Sequence, residues 1–164
     1  MKQSEALTVS IGVLGALDVL LTTYVLPVPV WITFTAWASF FAVGGGKDGL
    51  VTSILCNLTG ILIASLSLLA ASLLGGSAIA AAVCVGIGSA AMVQASRLGF
   101  TRGFTPAIVW GFSQTVGATA AGFALNNPIS TQATAITAVA MIVGAVFGFV
   151  SQMWAMSMTT EKTA

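Results

Sequence analysis

Charged side chains make up only 5% of the 164 residues, five Lys and Arg against four Asp and Glu. A soluble domain carries about 25% charged residues, so this chain cannot build a water-facing surface. A net charge of +1 also excludes a broad basic face for nucleic acid or acidic lipid. Histidine is absent. With it go the commonest metal ligand and general base, histidine-ligated heme, a Ser–His dyad and most proton relays. The two cysteines, Cys56 and Cys84, lie in apolar stretches and form no CxxC pair, which argues against a zinc site or disulfide framework and leaves them as small packing residues. An intramembrane aspartyl protease needs two membrane aspartates, and only Asp18 falls inside an apolar stretch. The turn Gly44-Gly45-Gly46-Lys47 lacks the strand, the spacing and the following Ser/Thr of a phosphate loop. The expectation is a chain with no cofactor, no metal and no enzymatic step.

What is abundant is apolar: 57% of the chain. Runs of about 20 apolar residues recur, each long enough for a hydrocarbon core of roughly 30 Å. They predict an all-α polytopic membrane bundle of six transmembrane helices filling residues 1–164 as one domain. The spans run over Leu7–Leu26, Val30–Val43, Leu50–Leu73, Ser77–Ser96, Phe104–Leu125 and Gln132–Met156. Pro27 and Pro29 end the first. The polar run Gly44 to Gly49 ends the second, Leu74-Gly75-Gly76 the third, and Asn126-Asn127-Pro128 the fifth. Lys2 before an apolar run suggests a signal peptide, but Glu5, Asp18 and the lack of a small-x-small site before Pro27 predict a retained helix.

The second span is short enough to be re-entrant. Charge placement speaks against that. With six crossings, Lys2, Lys47, Arg97, Arg102 and Lys162 share one side, and the turns near Pro27, Gly75 and Asn126 carry no charge. A re-entrant second span would move both arginines across. Cytoplasmic loops collect Lys and Arg, so both termini are expected in the cytoplasm.

Small residues recur at i,i+4 along the third span (Thr52, Cys56, Gly60, Ala64), the fourth (Ala78, Ala82, Gly86, Ala90) and the fifth (Ser113, Gly117, Ala121), with Gly144 and Gly148 on the sixth. In lipid, close backbone approach drives helix packing, so Gly60, Gly86, Gly117, Gly144 and Gly148 are candidate contact points within the bundle or in a homo-oligomer. A weak tandem hairpin repeat at an offset of 57 aligns Gly60 with Gly117 and Asn57 with Gln114. It would pair spans two and three with four and five around an axis along the membrane normal.

Asp18 is the one acid inside a span, roughly 16 Å from its cytoplasmic end. Such residues face the bundle or a wet cavity. Asn57 and Gln114 sit at similar depth, roughly 12–15 Å in, and suggest a polar layer shared by three helices. Either that layer lines a solute path or it is interhelical glue. Trp31 and Trp154 fall near span ends as interfacial anchors. Trp37 and Trp110 lie deeper, as an aromatic constriction or as packed side chains. Gln94 and Gln152 lie where solvation accounts for them.

The run Pro29-Val30-Trp31-Ile32-Thr33-Phe34-Thr35-Ala36-Trp37-Ala38-Ser39-Phe40-Phe41, with the glycine–lysine turn after it, resembles the YcdZ-like bacterial inner-membrane proteins. The resemblance covers nearly the whole chain. It implies a bacterial inner-membrane location and no activity, since the family is one of unknown function. Two expectations stand: a channel or facilitator for a small polar solute in the lipid bilayer, or a non-transporting accessory protein whose polar layer is structural.

Overall fold

In a computed structural model, residues 1–123 and 131–159 are described, and among them the chain is helical with no strand. Six α-helices follow one another: α1 Gln3–Tyr24, α2 Val30–Ala42, α3 Gly46–Leu73, α4 Ala78–Ala95, α5 Thr105–Ala118 and α6 Thr131–Met158. Four of them, α1, α3, α4 and α6, are long and apolar enough to cross a membrane. α2 and α5, with 13 and 14 residues, are about 20 Å long and fall short of a full span.

The helix ends have local causes. Gly44, Gly45 and Gly46 all take positive φ, which glycine adopts without a Cβ penalty. α3 starts with the last of them, at Gly46 rather than Leu50. The Gly46 N–H donates to Gln152 Oε1 at 2.7 Å, and Asp48 in the first turn complements the helix dipole. Gln152 is therefore a cap contributed by α6, not merely a solvated side chain. Ser77 caps α4 by accepting from the Ala80 N–H, and a proline in the first turn opens α5. α5 gives way at Thr119–Phe123 to a π-type turn in which Gly122 has φ 84°, so the expected fifth span is interrupted. Leu125 and the Asn126-Asn127-Pro128 turn lie outside the described residues.

Three contacts gather the chain at one end of the bundle. The Met1 amino group reaches the Met158 carbonyl at 3.5 Å, Gly46 meets Gln152, and Arg102 pairs with Asp48 at 3.7 Å on the exposed rim. Lys2, Lys47, Arg102 and the end of α6 thus share an end. The chain leaves that end along α1 and is back there by Gly46, having returned along α2.

Packing follows a two-fold pattern. α3 packs on α5 and α4, and α6 packs on α2 and α1. Each half is a long helix, a short helix and a 28-residue helix. Buried positions correspond across the halves. Asn57, Gly60, Ala64, Ser67 and Ala71 of α3 match Met141, Gly144, Gly148, Ser151 and Ala155 of α6, each 84 residues on. Thr33, Ala36, Trp37 and Phe40 of α2 match Ile108, Gly111, Phe112 and Thr115 of α5, 75 on. Ser10, Leu14, Asp18 and Thr22 of α1 match Cys84, Gly88, Met92 and Ser96, 74 on. The Trp31 and Phe123 rings meet at a tilt with centroids 6.0 Å apart, while Thr35 bonds Gln114 further along, so α2 and α5 run antiparallel. The halves are inverted relative to one another. The expected tandem repeat at an offset of 57 is not seen in this packing. Its aligned glycines differ: a Cβ at Gly60 would overlap the Ile108 carbonyl oxygen, whereas Gly117 has nothing within 4 Å.

The other expected contact glycines divide similarly. A Cβ on Gly144 would overlap the Thr33 carbonyl, the counterpart of the Gly60 contact, and one on Gly148 would meet the Phe40 ring at 2.7 Å. Gly86, like Gly117, faces open space, because the buried line of α4 runs through Cys84, Gly88 and Met92 instead. Gly111, not singled out by its spacing, sits against the backbone of Asn57.

Candidate functional site

Asp18, Asn57 and Gln114 all converge on α2, while a separate pair, Ser65 with Thr134 at 2.6 Å, joins α3 to α6. The α2 sequence is an aromatic run punctuated by hydroxyls at Thr33, Thr35 and Ser39. Three neighbouring helices bring polar side chains to them, α1 and α5 one each and α3 two. Asp18 of α1 sits with Oδ2 2.5 Å from Thr33 Oγ1. Gln114 of α5 donates from Nε2 to Thr35 Oγ1 at 3.2 Å. Asn57 of α3 accepts from Ser39 Oγ at 3.3 Å. No hydrogen bond joins Asp18, Asn57 and Gln114 to one another among the described residues. The expected shared layer is instead a line of separate sets along one short helix.

The three sets differ in closure. Around Asn57 the bonding forms a ring: Ser53 donates to Ser39 at 2.9 Å, Ser39 to Asn57 Oδ1, and Asn57 Nδ2 back to Ser53 at 3.3 Å. All three side chains are buried and satisfied. Such a ring holds α2 to α3, with each bond contributing about 0.6–2 kcal/mol. Gln114 and Thr35 are half-buried, so the α2–α5 set is the one that meets its surroundings. Asp18 is fully buried, and its Oδ1 has no hydrogen-bond partner. The Thr137 hydroxyl on α6 is likewise unpartnered. Because α1 begins at Gln3, Asp18 lies about 22 Å along it, two thirds of the way. An acid deep in a span costs a few kcal/mol to insert, so its retention calls for a reason.

The tryptophans fall into two roles. Trp37 is buried, donates its indole N–H to Ser151 Oγ at 3.0 Å, and stands 5.7 Å from the rings of Phe34 and Phe147. That is a packed side chain bridging α2 and α6. Trp110 is half-buried beside Phe104, on the α5 face nearer Gln114. Trp154 is exposed at the charged end of α6, and Trp31 is exposed where α2 begins.

Thr33, Thr35, Ser39, Ser53 and Ser151 carry no signal of their own in the sequence, because Ser and Thr in apolar helices commonly bond their own backbone. Thr33 and Thr35 do that as well, reaching the Val30 and Trp31 carbonyls at 2.7 and 2.8 Å. The available clue was three hydroxyls within seven residues of an otherwise aromatic stretch.

No group of three or more His, Cys, Asp or Glu that could hold a metal occurs among the described residues. A shallow apolar groove between α3 and α4, of about 270 Å³, is lined by Ile63, Leu66, Ser67, Cys84, Ile87 and Gly88 among others. It contains none of the polar sets.

Comparison with known proteins gives one match: the sequence model of the family described as Protein of unknown function (DUF1097) aligns with residues 8–156. No curated protein and no solved structure matches the chain.

Proposed function

The chain belongs to this family of unknown function, and from that premise we propose that it is a six-span facilitator for a small uncharged polar solute in the bacterial cytoplasmic membrane, passing it where α2 meets α5. One observation carries the reading. The two short helices occupy corresponding places in two inverted halves and meet through the half-buried Gln114–Thr35 pair. Inverted repeats with short or interrupted helices in matching positions are how many transporters build a site near the bilayer midplane. Proline before α2 and the π-type turn after α5 are interruptions of that kind.

Six crossings are supported by the return of α2 to the end where the chain starts. Cytoplasmic termini are supported by the sharing of that end by Lys2, Lys47 and Arg102. A helix of about 20 Å crosses a core of roughly 30 Å only with local thinning or with flanking turns inside the membrane. Residues 119–123 offer such a flank to α5. The reading assigns no chemical step and no cofactor, and it has the protein work as a homo-oligomer.

A second reading is favoured by the Asn57 ring. A closed, satisfied polar set is what structural glue looks like, and an accessory protein would need nothing more. Stopped-flow swelling of liposomes over a panel of small uncharged solutes separates the two. Wild-type liposomes should re-swell faster than empty ones for at least one solute, and Gln114→Leu should lose that gain. Folded wild-type protein that accelerates none of them would favour the accessory role.

A further inference from the structure

The inverted halves provide an internal control for Asp18. The position equivalent to Asp18 is Met92, and the position equivalent to Thr33 is Ile108. Met92 and Ile108 lie together in an apolar cluster with Cys56, Ala64 and Phe112. The same seam between a first and a second helix is therefore closed once by a wholly apolar pair and once by an acid and a hydroxyl. In the other half that seam packs without an acid.

Hydrogen counting, with the unpartnered Oδ1, favours one state of the acid. Thr33 Oγ1 lies 2.5 Å from Asp18 Oδ2 and 2.7 Å from the Val30 carbonyl oxygen. The hydroxyl has one hydrogen, and both neighbours are acceptors when Asp18 is a carboxylate. One hydrogen cannot make two full bonds. A proton on Oδ2 completes the set: Oδ2–H bonds the Thr33 oxygen, and Thr33 bonds Val30. The unpartnered Oδ1 is then the carbonyl of a neutral acid, which tolerates burial far better than a charged oxygen. No cation offsets a charge there. α2 and α6, the helices packed against α1, contain no ionisable residue, and on α1 itself Glu5 lies at the far end and Tyr24 is exposed.

We propose that Asp18 and Thr33 form a proton-binding site in the α1–α2 seam, with one proton as the ligand. Loading converts the carboxylate to the acid. Unloading passes that proton to water when the seam opens, leaving the carboxylate and a hydronium ion. The site stands whether or not a solute crosses at α2 and α5, and its test does not use flux.

Infrared spectra of the protein in nanodiscs at neutral pH provide that test. Wild type should show the C=O stretch of a protonated carboxylic acid, and 13C-labelling of aspartate should move it. Asp18 and Asp48 are the chain's only aspartates, and Asp48 is exposed. The band should be missing in Asp18→Asn and should vanish from wild type on alkalinisation. A double variant, Asp18→Met with Thr33→Ile, copies the other half and should fold with an unfolding temperature at or above wild type. Absence of the aspartate band at neutral pH would overturn the proposal. So would a band seen in choline chloride but lost in sodium chloride, which would mark a metal-cation site. Failure of the double variant to assemble would make the pair a packing device and overturn it equally.

Discussion

Gly60 and Gly117 have the same spacing signature in the sequence and should respond in opposite directions to one methyl group. At Gly60 an added Cβ would overlap the Ile108 carbonyl oxygen and approach the Phe112 nitrogen to 2.7 Å. These are backbone atoms that cannot rotate aside, so α3 and α5 must separate. Overpacking of this sort costs about 1–3 kcal/mol, and rigid partners put Gly60→Ala toward the upper part of that range. Alanine returns about 0.5–1 kcal/mol through its helix preference over glycine. The net is a loss of about 2 kcal/mol, near the 30-fold end of what such a change does to a folding equilibrium. Gly144→Ala, against the Thr33 carbonyl, should cost about as much because it is the equivalent contact in the other half. Gly117→Ala and Gly86→Ala meet nothing within 4 Å and should be neutral or slightly stabilising. Reversible unfolding of the detergent-solubilised variants, followed by tryptophan fluorescence, measures all four. Equal stability of Gly60→Ala and Gly117→Ala would refute the placement of the α3–α5 crossing.

Two other outcomes follow from the packing. Asn57→Ala opens the ring with Ser39 and Ser53 and should lower stability by about 0.6–2 kcal/mol; Ser53→Ala made in that background should then cost little, a non-additivity that a double-mutant cycle reads. Reporter fusions after Ala164 and near Gly75 should fall in opposite compartments, with Ala164 cytoplasmic, and a periplasmic Ala164 would exclude six crossings.

Much of the fold is legible in the sequence because its cause is local. Apolar runs set the helices, prolines and glycines set their ends, and Lys2, Lys47 and Arg102 gather at one end of the bundle. The boundaries shifted where a distant residue intervened, as when Gln152 reaches back to cap α3. The repeat was not legible. Its halves retain a burial pattern rather than residue identities, and pairs such as Asp18 with Met92 or Asn57 with Met141 share nothing chemically. The site was legible in its long polar members, Asp18, Asn57 and Gln114, which stand out in an apolar helix. Their partners on α2 did not stand out, since a hydroxyl already bonded to its own backbone gives no sign that a neighbouring helix will use it too.

The proposed path places the solute where α2 and α5 meet. Thr35→Cys with Gln114→Cys, joined by a short thiol cross-linker that a reductant cleaves, tests it in liposomes against the buried native Cys56 and Cys84. Cross-linking should reduce solute flux to that of empty liposomes, and reduction should restore it. Flux that is unchanged while the two helices are demonstrably tied together would rule out passage between α2 and α5.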